Sequence, residues 1–158
     1  YLEGVDILHY YSSIPPSITN NIFCLFQTQD NIVNIISKNT NPKYIFNSQT
    51  TYDDNGFIGL CVGKYKLINI PNEFAIGFDI SNTTAFQINK NYTPYFTNSN
   101  NINFYSGSIE FTINSDFGTV DYMSVNNGYM GGRNKIIFNR SCPPSLFLSG
   151  NMSIMTQR

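Results

Sequence analysis

The chain has 158 residues, of which 41% are apolar and 15% are aromatic, so it can bury a core without a metal or a dense disulfide network. Charged residues make up only 12%, and the net charge is −1. Nucleic-acid binding and electrostatic membrane binding both need a basic surface, so we expect neither. No window is apolar for long enough to predict membrane insertion.

The first forty residues are the least informative part of the sequence. The chain starts at Tyr1 without a methionine or a signal peptide, which indicates a processed chain or a segment of a longer one. Ile22–Phe26 predicts a short buried strand, whereas Asn31–Ser37 fits either a strand or a short helix. We interpret residues 1–41 as an N-terminal extension or arm, which either completes the fold that follows or contacts a neighbouring chain.

Strand and turn signals become regular from Lys43 onwards. The turn Asp54-Asn55-Gly56 is of the kind that closes a hairpin. Residues 82–103 are polar and predict a long surface loop with a short strand at Ala85–Ile88. The other apolar segments in this half of the chain predict strands at Tyr44–Phe46, Phe57–Val62, Lys64–Ile70 and Phe74–Ile80.

The stretch from Phe104 to Phe138 has the clearest strand pattern in the chain. Ile109, Phe111 and Ile113 alternate with polar residues, as in a strand with one buried and one solvated face. A second strand is predicted at Thr119–Val125, with Val120, Tyr122 and Ser124 on one face. A loop rich in Gly and Asn separates it from a third strand at Lys135–Asn139. Strands at this spacing, without an amphipathic helix, predict an antiparallel β-sandwich.

The chain has three cysteines, and none of them form a CxxC pair, so a zinc site is not expected. They either stay reduced or form a disulfide, for which we favour Cys61 and Cys142 because they bracket the predicted sandwich. Closing that loop of about 80 residues would stabilise the fold by about 4 kcal/mol. Cys24 would then be buried or available for an intermolecular disulfide. Glycosylation sequons, which indicate a secretory route, occur at Asn82, Asn91, Asn139 and Asn151.

Two longer segments resemble cupredoxin-like (plastocyanin-type) β-sandwich domains of giant DNA viruses and marine algae. They read PKYIFNSQTTYDDNGFIGLCVGKYKLINIPNEFAIGF and FYSGSIEFTINSDFGTVDYMSVNNGYMGG. The resemblance covers Pro42 to Cys142, and its most specific part is the run from Asp116 to Gly132. It implies an all-β, antiparallel Greek-key sandwich of cupredoxin type over residues 42–142. Residues 143–158 would form a C-terminal tail with short strands.

The same resemblance implies a copper site whose ligands have been lost. The family binds copper through two histidines, a cysteine thiolate and a weak axial methionine. In this chain the first histidine falls at or next to Asn72, the cysteine on Ser124, the second histidine on Asn127 and the methionine on Met130. The sole histidine, His9, lies outside the matching region. The resemblance therefore implies the scaffold without a cofactor, and these positions either fill the old site or form a polar pocket.

The leading functional hypothesis is a non-catalytic structural module of an extracellular or virion-surface assembly, such as a capsid, fibre or fibril component. The erased ligands, the few charges, the arm and the odd cysteine Cys24 motivate it, and its partners would be further copies or other structural proteins. The alternative is an adhesive or glycan-binding module with Asn/Tyr-rich loops, in which Tyr92, Tyr95 and Tyr129 make contacts. A blue-copper electron carrier is the third hypothesis.

We do not expect an enzyme, because the sequence shows no catalytic triad, phosphate-binding loop or paired acids. The turn Asp53-Asp54-Asn55 has oxygen ligands that suit calcium, but the same composition is typical of a solvated turn. We therefore predict no metal site.

Overall fold

The computed structural model describes residues 21–142, which fold into two β-sheets arranged as a sandwich. The all-β prediction is confirmed for this part of the chain, whose only helical turn is a 3-10 helix at Asn72–Phe74. The strands are β1 (Ile22–Cys24), β2 (Asp30–Ile36), β3 (Lys43–Phe46), β4 (Phe57–Leu60), β5 (Gly63–Ile70), β6 (Ile76–Asp79), β7 (Phe86–Ile88), β8 (Phe96–Thr97), β9 (Asn103–Tyr105), β10 (Gly107–Ile113), β11 (Thr119–Ser124) and β12 (Ile136–Phe138).

Both sheets are mixed, whereas the sequence predicted a purely antiparallel sandwich. One sheet has the strand order β1-β4-β12-β11-β6-β9-β8, and the other has the order β3-β2-β5-β10-β7. Most neighbours are antiparallel, but β1 with β4, β12 with β4, and β2 with β5 run parallel. Parallel neighbours cannot be joined by a short hairpin. The chain therefore crosses between the sheets instead of following a simple meander.

The alternating patterns of β10 and β11 are confirmed. Ile109, Phe111 and Ile113 are buried on one face of β10, while the residues between them are partly exposed. Phe111 stacks between two other rings, with centroids 5.6 Å from Tyr65 and 4.9 Å from Phe86. Such ring pairs stabilise a core by about 0.5–1.5 kcal/mol each beyond their buried area. These inward-facing residues form the centre of the sandwich.

The segment before residue 42 contributes to both sheets. Residues 30–36 form a strand rather than a helical turn, because β2 bonds to β3 on one side and to β5 on the other. The fully buried Asn31 holds this region: its Oδ1 accepts from the Phe26 N–H at 2.8 Å, and its Nδ2 donates to the Lys66 carbonyl at 3.1 Å. A buried amide stabilises a fold only when its hydrogen bonds are satisfied, as they are here. The core therefore begins before residue 42.

Two local predictions are corrected by the topology. The turn at Asp54-Asn55-Gly56 does not close a hairpin, because β3 and β4 lie in different sheets and the turn connects them. The predicted surface loop at residues 82–103 also contains the edge strand β8, and it ends at the start of β9. The tail strands, His9 and Asn151 lie outside the described residues. Within residues 21–142 no helix is long and apolar enough to span a membrane.

The predicted disulfide between Cys61 and Cys142 is confirmed, with Cα atoms 6.1 Å apart. It ties the end of β4 to the segment that follows β12. Cys24 is a free, half-buried thiol that accepts a hydrogen bond from the Asn139 Nδ2 at 3.5 Å. Burial raises the pKa of the Cys24 thiol, so this group is a weaker nucleophile than an exposed cysteine.

Candidate functional site

The positions that the resemblance would assign to copper ligands lie near one end of the sandwich. Ser124, the last residue of β11, pairs with Ile76 at the start of β6. The next residue, Val125, donates its N–H to the Ala75 carbonyl at 3.0 Å. The 3-10 helix that begins at Asn72 ends directly before Ala75. The antiparallel pairing of β6 with β11 therefore brings the segment that begins at Asn72, the first histidine position, next to Ser124, the cysteine position.

A tyrosine hydroxyl occupies the centre of this end of the fold. Tyr44 is buried, and its hydroxyl donates to the Phe74 carbonyl at 2.6 Å and lies 3.4 Å from the Ala75 carbonyl. Burial raises the pKa of Tyr44 far above its ordinary value, and a hydrogen bond with Ser124 offsets part of that effect. The sequence marked Tyr44 only as a strand residue, and nothing in its spacing indicated this position.

The loop after β11 contacts β3 at Tyr44. The buried Ser124 Oγ accepts from the Asn127 N–H at 2.7 Å, and the Ser124 N–H donates to the Gly128 carbonyl at 2.7 Å. Met130 is buried in a left-handed conformation, with φ of 47°, and its carbonyl accepts from the Tyr44 N–H at 3.4 Å. The side chains of Asn72 and Asn127 are exposed. The four predicted positions therefore divide into two inside the fold and two on its surface.

Two glycines allow this loop to pack tightly on tyrosine rings. A Cβ on Gly131 would lie 2.5 Å from the Tyr52 ring, and one on Gly132 would lie 2.2 Å from the Tyr122 ring. The Tyr52 hydroxyl donates to the Gly131 carbonyl, and the Tyr122 N–H donates to the Gly132 carbonyl at 3.0 Å. Only glycine permits these approaches. The loop is therefore fixed by backbone contacts with aromatic side chains.

The donor atoms at this end do not fit a type 1 copper ion. Such a site needs a thiolate and two imidazoles, and the side chains here are hydroxyls, amides and one thioether. Cys24 lies on β1, three strands from β11 in the sheet order, and the other two cysteines form the disulfide. Within residues 21–142 no group of three or more His, Cys, Asp or Glu side chains is arranged to hold a metal ion.

The acidic turn that suggested calcium is held by its own hydrogen bonds. The Asp53 Oδ1 accepts from the Asn55 N–H at 2.9 Å, and the Asp53 carbonyl accepts from the Gly56 N–H at 3.1 Å. This is the geometry of an Asx turn, in which a carboxylate caps the backbone two residues ahead. The solvated-turn interpretation accounts for all of these contacts.

The three tyrosines predicted to make contacts differ in their environments. Tyr92 is half-buried and its hydroxyl donates to the Glu110 Oε2 at 2.9 Å, so it helps to hold its own loop. Tyr95 is 53% exposed and precedes Phe96, which is 49% exposed on the edge strand β8. Tyr129 is exposed, and the Arg133 guanidinium lies 5.4 Å from the centre of its ring. Tyr95 and Tyr129 are therefore available to a partner, and Tyr92 is less so.

A groove of about 780 Å³ runs beside the loop that contains Tyr92. Its walls come from β7, from the 89–94 segment and from β9, and they alternate amides with aromatic and aliphatic side chains. The residues that define it are Ile88, Asn89, Tyr92, Pro94, Asn103 and Tyr105. The groove has the size of a small-molecule or single-sugar site.

The sequons differ in how available their amides are. Asn82 and Asn91 are exposed: the Asn82 Oδ1 accepts from the Thr84 N–H at 3.2 Å, and the Asn91 N–H donates to the Asn89 Oδ1 at 2.9 Å. Asn139 is half-buried and its Nδ2, the atom that would carry a glycan, donates to Cys24. The structure therefore favours Asn82 and Asn91 over Asn139 as glycan acceptors.

Comparisons with protein-family models, with curated proteins and with solved structures gave no significant match to this chain.

Proposed function

We propose that the protein is a non-catalytic structural module of an extracellular or virion-surface assembly, built on a cupredoxin-like scaffold that has lost its copper. The observation that carries this proposal is the Tyr44 hydroxyl, which donates to the Phe74 carbonyl at 2.6 Å where the ligand positions converge. A protein hydroxyl fills the space and satisfies the surrounding backbone, so this end of the fold serves packing rather than metal chemistry.

An exposed apolar edge supports association with other chains. Tyr95 and Phe96 lie at the outer edge of the seven-stranded sheet, where β8 has a neighbour on one side only among the strands of residues 21–142. An edge strand with unpaired backbone groups and exposed aromatic residues is a template for pairing with another chain. The low charge of the sequence adds little electrostatic repulsion between copies.

The covalent features fit an oxidising, extracellular environment. The Cys61–Cys142 disulfide is of the kind that persists outside the cytosol. Two of the sequons, Asn82 and Asn91, are exposed and so are open to modification on a secretory route. The virion-surface part of the proposal comes from the resemblance to domains of giant DNA viruses.

Sedimentation velocity over a concentration series, together with native mass spectrometry under non-reducing conditions, tests this proposal. We expect oligomers that weaken when Tyr95 and Phe96 are both changed to serine. A matched control is Val62→Ser, because Val62 is 56% exposed and lies outside β8. A strict monomer at every concentration, unaffected by reductant, would reject the structural role.

The second candidate function is adhesion through glycan binding, and the groove beside Tyr92 is the observation that favours it. Its amides and aromatic rings are the groups that contact sugars without strong charge, and Asn103 and Tyr105 line it opposite Asn89. Saturation-transfer NMR with a panel of oligosaccharides distinguishes this function from the structural one. Signals that weaken in a Tyr105→Phe variant, which keeps the buried ring, but survive in Tyr129→Phe would assign binding to the groove. An absence of signals with the wild type would remove the candidate.

A further inference from the structure

A cavity of about 210 Å³ lies beside Tyr44. The proposed structural function does not use this cavity. It is bounded by β1, by the start of β4 and by the segment that connects β3 to β4. One part of its wall is apolar, with Ile22, Phe57 and Ile58, and the other part carries polar side chains. This polar wall includes Tyr44, Gln49, Tyr52, Asp53, Tyr122 and Lys135.

Lys135 is a buried cation at this cavity, with only 6% of its surface exposed. Its Nζ donates to the Asp53 carbonyl at 2.5 Å and lies 4.2 Å from the centre of the Tyr52 ring. Both of these contacts are with uncharged groups, a backbone carbonyl and an aromatic ring. Burial lowers the pKa of Lys135, while the Asp53 and Asp54 carboxylates act in the opposite direction. A buried ammonium favours an anionic partner because desolvation of an unpaired charge is costly.

Tyr122 contributes a buried hydroxyl that lacks a partner. The residue is 1% exposed and lines the cavity, and its hydroxyl makes no hydrogen bond with any described residue. Buried polar atoms are nearly always paired, so an orphan hydroxyl at a cavity indicates a ligand or water that would complete it. Tyr44 cannot serve this role, because its own hydroxyl is committed to Phe74.

Gln49 adds a further donor to the same wall. Its Oε1 accepts from the Phe46 N–H at 2.9 Å, which fixes the side chain and leaves the Nε2 hydrogens for a ligand. Beside the Asp53 carboxylate, which only accepts, the polar wall thus offers three groups that can donate: an ammonium, a hydroxyl and an amide. Donors in this number favour an acceptor-rich group such as a carboxylate.

We infer that this cavity binds a small organic monocarboxylate. Lys135 pairs with its carboxylate, Tyr122 bonds a second polar atom, and the apolar body packs against Phe57 and Ile58. The volume of 210 Å³ is about seven times the share of one water in the liquid, ~30 Å³, which suits an acid of about ten non-hydrogen atoms. A ligand of that size binds with a dissociation constant of about 1 mM or tighter.

The test is an NMR titration of the isotopically labelled full chain with benzoate, 4-hydroxybenzoate and benzyl alcohol. We expect benzoate to shift the signals of the cavity residues and to bind at least about tenfold more tightly than neutral benzyl alcohol, the change that one charge-assisted bond produces. The hydroxyl of 4-hydroxybenzoate should improve binding further through Tyr122.

Three variants assign the contacts. Lys135→Met should abolish the preference for benzoate over benzyl alcohol, whereas the control Lys64→Met, an exposed lysine of β5, should leave it unchanged. Tyr122→Phe should keep benzoate binding and lose the gain from 4-hydroxybenzoate. A merely structural role for Tyr122 would leave both affinities equal to those of the wild type.

Two results of the titration would contradict carboxylate binding at this cavity. Absence of saturable shifts with either acid at about ten times the expected dissociation constant would overturn the inference, as would tight benzoate binding that survives Lys135→Met. If Lys135→Met does not fold, the comparison of benzoate with benzyl alcohol on the wild type and the Tyr122→Phe variant decides the question. None of these outcomes depends on the oligomeric state, so they are separate from the test of the structural function.

Discussion

The rings of Tyr44 and Tyr122 meet edge to face, with centroids 5.5 Å apart and planes at 82°, but only one of the two hydroxyls is hydrogen-bonded. Tyr44 donates to the Phe74 carbonyl, whereas the Tyr122 hydroxyl has no partner among the described residues. Two buried tyrosines in contact thus differ in whether the hydroxyl group is hydrogen-bonded. The pair separates the effect of a satisfied hydroxyl from that of an unsatisfied one.

The corresponding phenylalanine variants should change stability in opposite directions. Tyr44→Phe leaves the Phe74 carbonyl without its short bond, and we expect a loss of about 1–2 kcal/mol in the free energy of unfolding. Tyr122→Phe removes an unpaired buried hydroxyl while keeping the ring, and we expect no loss or a gain of up to about 1 kcal/mol. Urea denaturation of both variants measures this, and equal losses would contradict the assignment.

Stability should fall at alkaline pH because buried tyrosines resist ionisation. Burial raises the pKa of Tyr44 and Tyr122 above the ordinary value of 10.0. Above that pH the unfolded chain releases these protons and the folded chain keeps them. The unfolded state then binds fewer protons, and the free energy of unfolding falls by about 1.4 kcal/mol per pH unit for each group.

Lys135 limits the pH range in which the tyrosine contribution to stability can be measured by itself. Its folded pKa is lowered, so the unfolded state binds more protons up to the ordinary lysine value of 10.5, and stability gains slightly with pH in that range. Urea denaturation between about pH 10.5 and about pH 11.5 avoids this contribution. In Tyr122→Phe the fall of the unfolding free energy with pH should be smaller by the contribution of one tyrosine, about 1.4 kcal/mol per pH unit. An unchanged dependence on pH would show that Tyr122 ionises normally.

Alanine substitutions at two glycines should differ in cost. A Cβ on Gly132 would lie 2.2 Å from the Tyr122 carbonyl oxygen, which cannot move without disturbing β11. We expect Gly132→Ala to cost more than about 3 kcal/mol. Gly118 has φ of +81° but no atom within 4 Å of the new Cβ, so Gly118→Ala should cost only the left-handed strain, about 1–2 kcal/mol. Thermal denaturation ranks the two, and a smaller loss at Gly132 would contradict the packing described.

Reduction of the disulfide should destabilise the fold. The Cys61–Cys142 bond closes a loop with a sequence separation of 81, and its loss should cost about 4 kcal/mol. A Cys61→Ser, Cys142→Ser double variant and wild type in reductant should give the same urea midpoint. Cys24→Ser is the control, because it removes a thiol that forms no disulfide in this structure. A reductant effect that persists in the double variant would point to intermolecular bonds through Cys24.

Restoring the lost ligands tests the cupredoxin resemblance itself. The triple change Asn72→His, Ser124→Cys and Asn127→His, combined with Tyr44→Phe to remove the competing hydroxyl, should bind copper. The measurement is visible absorption from thiolate-to-copper charge transfer on adding copper. The same variant with Ser124 retained should stay colourless. A folded, colourless protein with all four changes would mean that the ligand positions are assigned wrongly.

The strands could be predicted from the sequence largely because their apolar residues alternate. In β10 the pattern of Ile109, Phe111 and Ile113 fixes the buried face without knowledge of the neighbours. The parallel pairs could not be predicted in this way, since the pattern of β4 is the same whichever direction its neighbours run. The two-residue strand β8 was also missed, because Phe96 and Thr97 carry no periodicity and owe their conformation to pairing with β9.

The candidate sites were less accessible to prediction than the strands. Ser124 and Met130, two of the positions that the resemblance marks, are both buried. Tyr44 and Lys135 both line the cavity although they are 91 residues apart in the sequence, and only the three-dimensional packing shows this relation. An isolated lysine before an apolar strand normally indicates a solvated strand end, so its burial had no signal in the sequence.

In the seven-stranded sheet, β4 lies between β1 and β12, the first and last strands of the described chain. During synthesis, β1 can pair with β4 early, but the opposite edge of β4 stays open until Ile136–Phe138 has left the ribosome. The cysteine that locks this arrangement, Cys142, emerges later still. The seven-stranded sheet therefore cannot be completed strand by strand during synthesis. The nascent chain carries an incomplete sheet, with one edge of β4 unpaired, until β12 has been made.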